Sequence, residues 1–303
     1  MLRWGIVPAL VLAGSAMADV VIVKSSDADP YNQAGAALQQ QLAAPGAKIT
    51  VVLVKQLAES GIGSTISTTD TVVAIGTPAA SWLHSQLPEG VRLVYCMVTN
   101  AQDAGLLKGS ECWGVTTDVA MSDQIKLIAE VLPHATTVGI LYRSDVPAGV
   151  DAVKELTKAV PTGWKIETVA ANEHKSTAEA IDTLTLKKVD VIWTAADLKV
   201  YDAATVQALL LSALRNKTPV WGFSPAFVRA GALLGVGVDP RTQADQAAAL
   251  IKQLTDGRQS VKDRVQSARE YQIAVNLIVA DQINVTVPDS LVKRAAFVFR
   301  GDK

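Results

Sequence analysis

The sequence predicts an α/β protein built as two lobes of parallel sheet flanked by helices, and three observations carry that expectation. Short apolar runs of β type alternate with longer amphipathic segments along nearly the whole chain, the pattern of repeated βα units. Some of these runs, residues 72–75 among them, are continuously apolar, as strands covered on both faces are. The segment opening at Asp19, D-V-V-I-V-K-S-S-D, is echoed at Thr137, T-V-G-I-L-Y-R-S-D. Each copy would open one doubly wound lobe of roughly 120 residues. Coincidence among apolar strands explains the echo equally well.

Before the first strand, residues 1–18 read as a secretory signal: a positive start at Arg3, an apolar segment over 4–13 and a small-x-small site ending at Ala18. The apolar segment is shorter than the roughly 20 residues a membrane span needs, so a soluble, exported chain starting at Asp19 is expected. Basic and acidic residues nearly balance, 28 against 29, which argues against nucleic acid as a partner. In an oxidising compartment Cys96 and Cys112 are expected to be bridged, with two buried thiols whose geometry forbids a bond as the alternative, and without clustered histidines they do not make a metal site.

In order, residues 20–23 read as a strand, 31–43 as a helix, 48–54 as a strand and 72–75 as the next strand. Gly76 then permits a tight exit, Thr77 reads as a helix N-cap and Pro78 as the first helical position. Such a turn puts unpaired N–H groups and the positive end of a helix dipole at the carboxyl end of a parallel sheet, where a small anion or carboxylate could be held. A βα connection with no ligand fits the same residues. Strands follow at 92–98 and 113–116, and a helix at 122–132 carries Ile125, Leu127, Ile128, Val131 and Leu132 at helical spacing. Strands at 137–142, 164–169, 189–194, 219–223 and 232–238 then alternate with helices at 149–160, 176–186, 203–216, 225–230 and 241–255. Residues 271–283 alternate and then turn helical, and are read as a last crossover docking on the second lobe.

Five segments, V-A-I-G-T-P-A-A from Val73, I-A-E-V-L-P-H-A-T-T-V-G-I-L-Y from Ile128, T-P-V-W-G-F-S from Thr218, R-A-G-A-L-L-G-V-G-V-D from Arg229 and T-V-P-D-S-L from Thr286, together resemble a known family. It is the ABC-transporter substrate-binding proteins of the tryptophan/tyrosine-binding type, which have a type I periplasmic-binding-protein fold. The resemblance implies two α/β lobes joined by three crossover strands, closing over one small ligand for delivery to a membrane permease. It implies a first lobe of residues 19–116 plus 240–268 and a second of 117–239 plus 269–303, with hinges near 116–118, 238–240 and Tyr271. A periplasmic, monomeric protein without cofactor or metal is expected.

Carried over by position, Gly76 and Thr77 match the family's carboxylate-binding Gly-Thr turn, which agrees with the anion site read from the helix terminus. Thr99 ends the next strand of the same lobe, Asp197 follows a second-lobe strand where it could pair with an ammonium, and Ser224 closes the strand after that. Turn or capping roles explain these last three as well. The chain departs from the family where Arg143-Ser144-Asp145 replaces the usual Asn-Pro-Ser-Glu and where Ala195-Ala196-Asp197-Leu198 replaces Pro-Pro-Asp-Asn. Ser25, Ser26, Arg143 and Ser144, at the ends of the two echoed strands, join the candidates, and Lys24 with Arg143 would favour an acidic ligand. Tyr31, Tyr95, Trp193, Trp221 and Phe223 lie near strand ends, where they serve either as core or as a wall for a planar ligand.

Enzymes are a poorer match. The chain has no G-x-S-x-G elbow, no P-loop and no complete G-x-G-x-x-G after a strand. His84, His134 and His174 fall away from the strand ends. A solute-binding component of an importer is expected, with a sensory module reporting to a membrane receptor, or an exported α/β enzyme, as alternatives.

Overall fold

A computed structural model of the chain describes residues 19–44, 48–108, 111–197, 199–255 and 263–301; the expected signal, residues 1–18, lies outside them. The chain opens with β1 (Val20–Lys24), α1 (Asp29–Leu42), β2 (Ile49–Leu53), α2 (Val54–Ser60), β3 (Thr71–Ile75), α3 (Thr77–Gln86), β4 (Arg92–Val98) and β5 (Cys112–Val119). A second series follows: α4 (Met121–Val131), β6 (Thr137–Tyr142), α5 (Pro147–Ala159), β7 (Lys165–Ala170), α6 (Thr177–Leu186), β8 (Val191–Trp193), α7 (Ala203–Arg215), β9 (Val220–Gly222), α8 (Pro225–Ala230) and β10 (Leu234–Gly237). Then come α9 (Pro240–Thr255) and β11 (Val265–Ala268), and last β12 (Gln272–Asn276), α10 (Leu277–Gln282), α11 (Asp289–Arg294) and β13 (Phe297–Phe299).

Two sheets result. The first has the order β11-β5-β4-β3-β1-β2 and is parallel throughout. The second, β13-β12-β10-β9-β8-β6-β7, is parallel except where β10 meets β12. The chain passes between them three times, after β5, after β10 and after β11. These are the helix-flanked parallel sheets that the alternation of runs predicts, in the two lobes that the echoed segments and the family resemblance imply.

Parity along the strands builds the core. In the first lobe Val20, Ile22, Val73, Ile75, Val94 and Cys96 pack against Leu38 of α1 and Ile251 of α9. Their neighbours Val21, Val23, Val72, Ala74 and Tyr95 face the opposite way, onto Leu83 of α3. Covering both faces is why β1 and β3 are apolar at every residue but Lys24 and Thr71, and each fully buried leucine adds about 1.5–3 kcal/mol. The same parity overturns the expected disulfide: Leu93, not Cys96, pairs with Cys112, so the two cysteines project from opposite faces of the sheet. Both are free and buried, and burial pushes each thiol up to about 12.

Most predicted elements recur within a few residues. β5 is longer than expected and runs to Val119, while α2, β11, α11 and β13 escape the apolar-run reading because they are short or half exposed. The N-cap of α3 is Gly76, with Thr77 as the first helical residue and Pro78 in the first turn.

Candidate ligand-binding site

Where β3, β4 and β5 of one lobe and β8, β9 and β10 of the other end, they open onto a shared cavity of about 1300 Å³. Carboxyl ends of parallel strands are where α/β sheets expose loop backbone and helix N-termini, so the location follows from the topology.

On the first-lobe wall, Gly76 takes φ +91°, and an added Cβ would lie 2.6 Å from Ser25 Oγ and 2.9 Å from the Tyr31 ring. Only glycine gives this turn both its backbone and its space. Thr77 Oγ1 accepts the Thr99 N–H (3.3 Å), and the Thr99 and Thr117 hydroxyls share a hydrogen bond of 2.9 Å. Register slips between Tyr95 and Val98, and Met97 sits at φ +57°, a bulge that turns Met97 and Thr99 to the cavity. The helix terminus is largely satisfied by the chain itself. The Ala79 N–H donates to Ser25 Oγ (3.0 Å), the Ala80 N–H to the Gly76 carbonyl (3.1 Å), and Pro78 has no N–H.

The second-lobe wall is aromatic and acidic. Trp193 Nε1 donates to Gln124 Oε1 (2.9 Å), which fixes the indole at the cavity. Phe223 packs on Phe227, centroids 4.9 Å apart, and on Tyr201 at 6.2 Å. Ser224 accepts the Phe227 N–H (3.2 Å) and so caps α8. Asp197 Oδ1 accepts the Lys199 N–H (2.8 Å), whereas Oδ2 is shut off from solvent and meets no donor. At the mouth, Gln102 Nε2 of the first lobe donates to Asp151 Oδ2 of the second (3.2 Å).

The cavity carries a one-sided charge. Asp118, Asp151, Glu155, Asp197 and Asp239 line it, and among the described residues no lysine, arginine or histidine does. Asp118 meets water in the cleft, yet the protein around it raises its carboxyl above the usual range, against opposing hydrogen bonds from Thr116 and Asn100. Asp103, just behind the mouth, is raised by burial first and by the Asp197 charge second. Among the described residues no group of three or more His, Cys, Asp or Glu is placed to hold a metal ion.

Of the residues predicted from sequence, the cavity brings together Thr77, Thr99, Asp197 and Ser224. Ser25 is behind the wall, its hydroxyl donating to the Ile75 carbonyl (2.8 Å), and Ser26 accepts the Ala28 N–H (3.3 Å). Gly76 supplies the turn rather than a lining surface. Arg143 pairs with both oxygens of Asp145 (2.9 and 2.5 Å), and Ser144 bonds Asn172 and Glu173. Lys24 is taken up by Asp27 and Asn32. The expected preference for an acidic ligand is thereby corrected, because both cations it relied on are neutralised away from the cavity. Of the five aromatic candidates only Trp193 and Phe223 reach it; Tyr95 and Trp221 are buried core. Sequence reasoning missed Thr117, Asp118 and Gln124. A longer β5 would have pointed to the first two, while Gln124 has no local signal.

The family model for ABC transporter substrate binding proteins matches residues 64–299. Among solved structures, an ABC domain from Streptococcus pneumonia in complex with L-Trp is 23% identical, covering 93% of this chain and 99% of its own, with a TM-score of 0.62. A substrate binding protein with adhesive properties from Clostridium difficile, ligand-free and open, is 20% identical over 94% of this chain and 100% of its own, TM-score 0.70. A conserved domain protein from Vibrio cholerae is 22% identical over 93% and 99%, TM-score 0.63. Among curated proteins none matches.

Proposed function

The chain belongs to the ABC transporter substrate-binding proteins, and we propose that it is the periplasmic solute-binding component of an importer, closing around one small organic solute between its lobes. The observation that carries this reading is the inter-lobe cavity itself: both walls are built at strand ends, and the lobes are linked by three short passages that can act as hinges. In the reading, Thr77 and Thr99 meet the solute from one side and Asp197 and Ser224 from the other. Trp193 and Phe223 supply an apolar face for a planar part. Closure shifts an existing open and closed equilibrium and offers the permease a joined two-lobe surface. The mature protein is exported by the signal over 1–18 and acts as a monomer.

The test is a thermal-shift screen of ligand-stripped protein against amino acids, amines and small carboxylates. A true solute at 100 times its Kd adds about 2.7 kcal/mol of stability. A screen in which no such compound raises Tm would contradict the reading.

A further inference from the structure

The charge of the cavity says more about the solute than its shape does. Five carboxylates from both lobes and the passage between them line the cavity, and among the described residues no cationic side chain does. Two cations close by in sequence are engaged and a third points to solvent. Lys154 is salt-bridged to Asp151 (2.9 Å), Arg143 to Asp145, and Lys199 is exposed. Asp197 has a donor on one oxygen only; the other is unpartnered and closed off, so the charge is left uncompensated and a cation held beside this side chain would offset it. On the opposite wall the usual means of holding an anion is mostly consumed. Of the first three amides of α3, Ala79 bonds Ser25 and Pro78 offers none, which leaves only the Thr77 N–H.

Resting on the reading of the cavity as a solute site, we propose that its solute is a net cation. The structure assigns it to the organic amines whose positive groups outnumber their carboxylates, with an ammonium at Asp197 and an apolar body against Trp193 and Phe223. The raised carboxyls of Asp103 and Asp118 agree, since an incoming positive charge offsets the desolvation that raises both and the repulsion by Asp197 and Asp151 that adds to it at Asp103. A narrow acidic field also steers cations toward the mouth and turns anions away.

Two matched series test this by calorimetric titration and thermal shift: 2-phenylethylamine, phenylalanine and 3-phenylpropionate, and 1,5-diaminopentane, lysine and glutarate. In whichever series binds, affinity should fall in the order written, by at least about tenfold from the amine to the carboxylate, and the amine should weaken with added salt. Asp197→Asn should cost the amine about tenfold; should that variant fold poorly, Asp118→Asn gives a second reading in the same direction. A zwitterion or carboxylate binding as tightly as its amine overturns the inference and leaves the solute-receptor reading standing. No binding in either series overturns both.

Discussion

The two walls of the cleft are built on different principles. The first-lobe wall spends most of its polar atoms on itself: hydrogen bonds run from Thr77 through Thr99 to Thr117, and Ser25 ties the start of α3 to the end of β3. The second-lobe wall leaves a carboxylate oxygen without a donor beside an aromatic surface. A wall that satisfies itself is a stability element, whereas one with an unmet charge waits for a partner. Damage to the first wall should therefore appear as lost stability, and damage to the second as lost affinity.

Gly76→Val probes the first wall most severely. A Cβ at φ +91° collides with Ser25 and Tyr31, and about 3 kcal/mol of stability should be lost in urea denaturation. A loss under 1 kcal/mol would mean that the turn is slack. Next is Gln243, only 1% exposed, which accepts the Met97 N–H (3.3 Å) and donates to the Thr116 carbonyl (3.2 Å), joining α9 to the strand ends of the first wall. Gln243→Leu leaves both backbone groups unpaired in the interior and should cost about 2 kcal/mol. Asp197→Asn should invert the pattern, with amine affinity down about tenfold and the stability of the ligand-free protein kept or raised. A large stability loss there would erase the contrast between the walls. The smallest effect concerns the cysteines. With both thiols buried and free, reductant should leave Tm unchanged, and a thiol reagent should label neither until the protein is denatured.

Local pattern accounts for what the sequence revealed. The run β3, Gly76, Thr77, Pro78 announces itself because a doubly covered strand is apolar at nearly every position and the turn needs its glycine. The disulfide error came from a property no single strand carries: which face a cysteine takes depends on the register of β4 against β5. The acidity of the cavity is hidden for the same reason, since Asp118, Asp151, Asp197 and Asp239 converge from separate elements. The misleading basic pair could have been discounted, because Asp27 and Asp145 stand three and two residues from Lys24 and Arg143 and claim both charges. Thr117 and Asp118 were obscured because the polar end of β5 does not look like strand.

In the proposed function the lobes part to admit a solute, and the contact of Gln102 with Asp151 across the mouth marks where to stop that motion. Gln102→Cys with Asp151→Cys, joined by a short cleavable bis-maleimide, can be compared in stopped flow with the same double variant unjoined, using the tighter-binding amine of the two matched series. Binding should slow by about an order of magnitude or more in the joined protein and recover when the linker is cut. A joined protein that binds as fast as the unjoined one would place the solute outside the cleft.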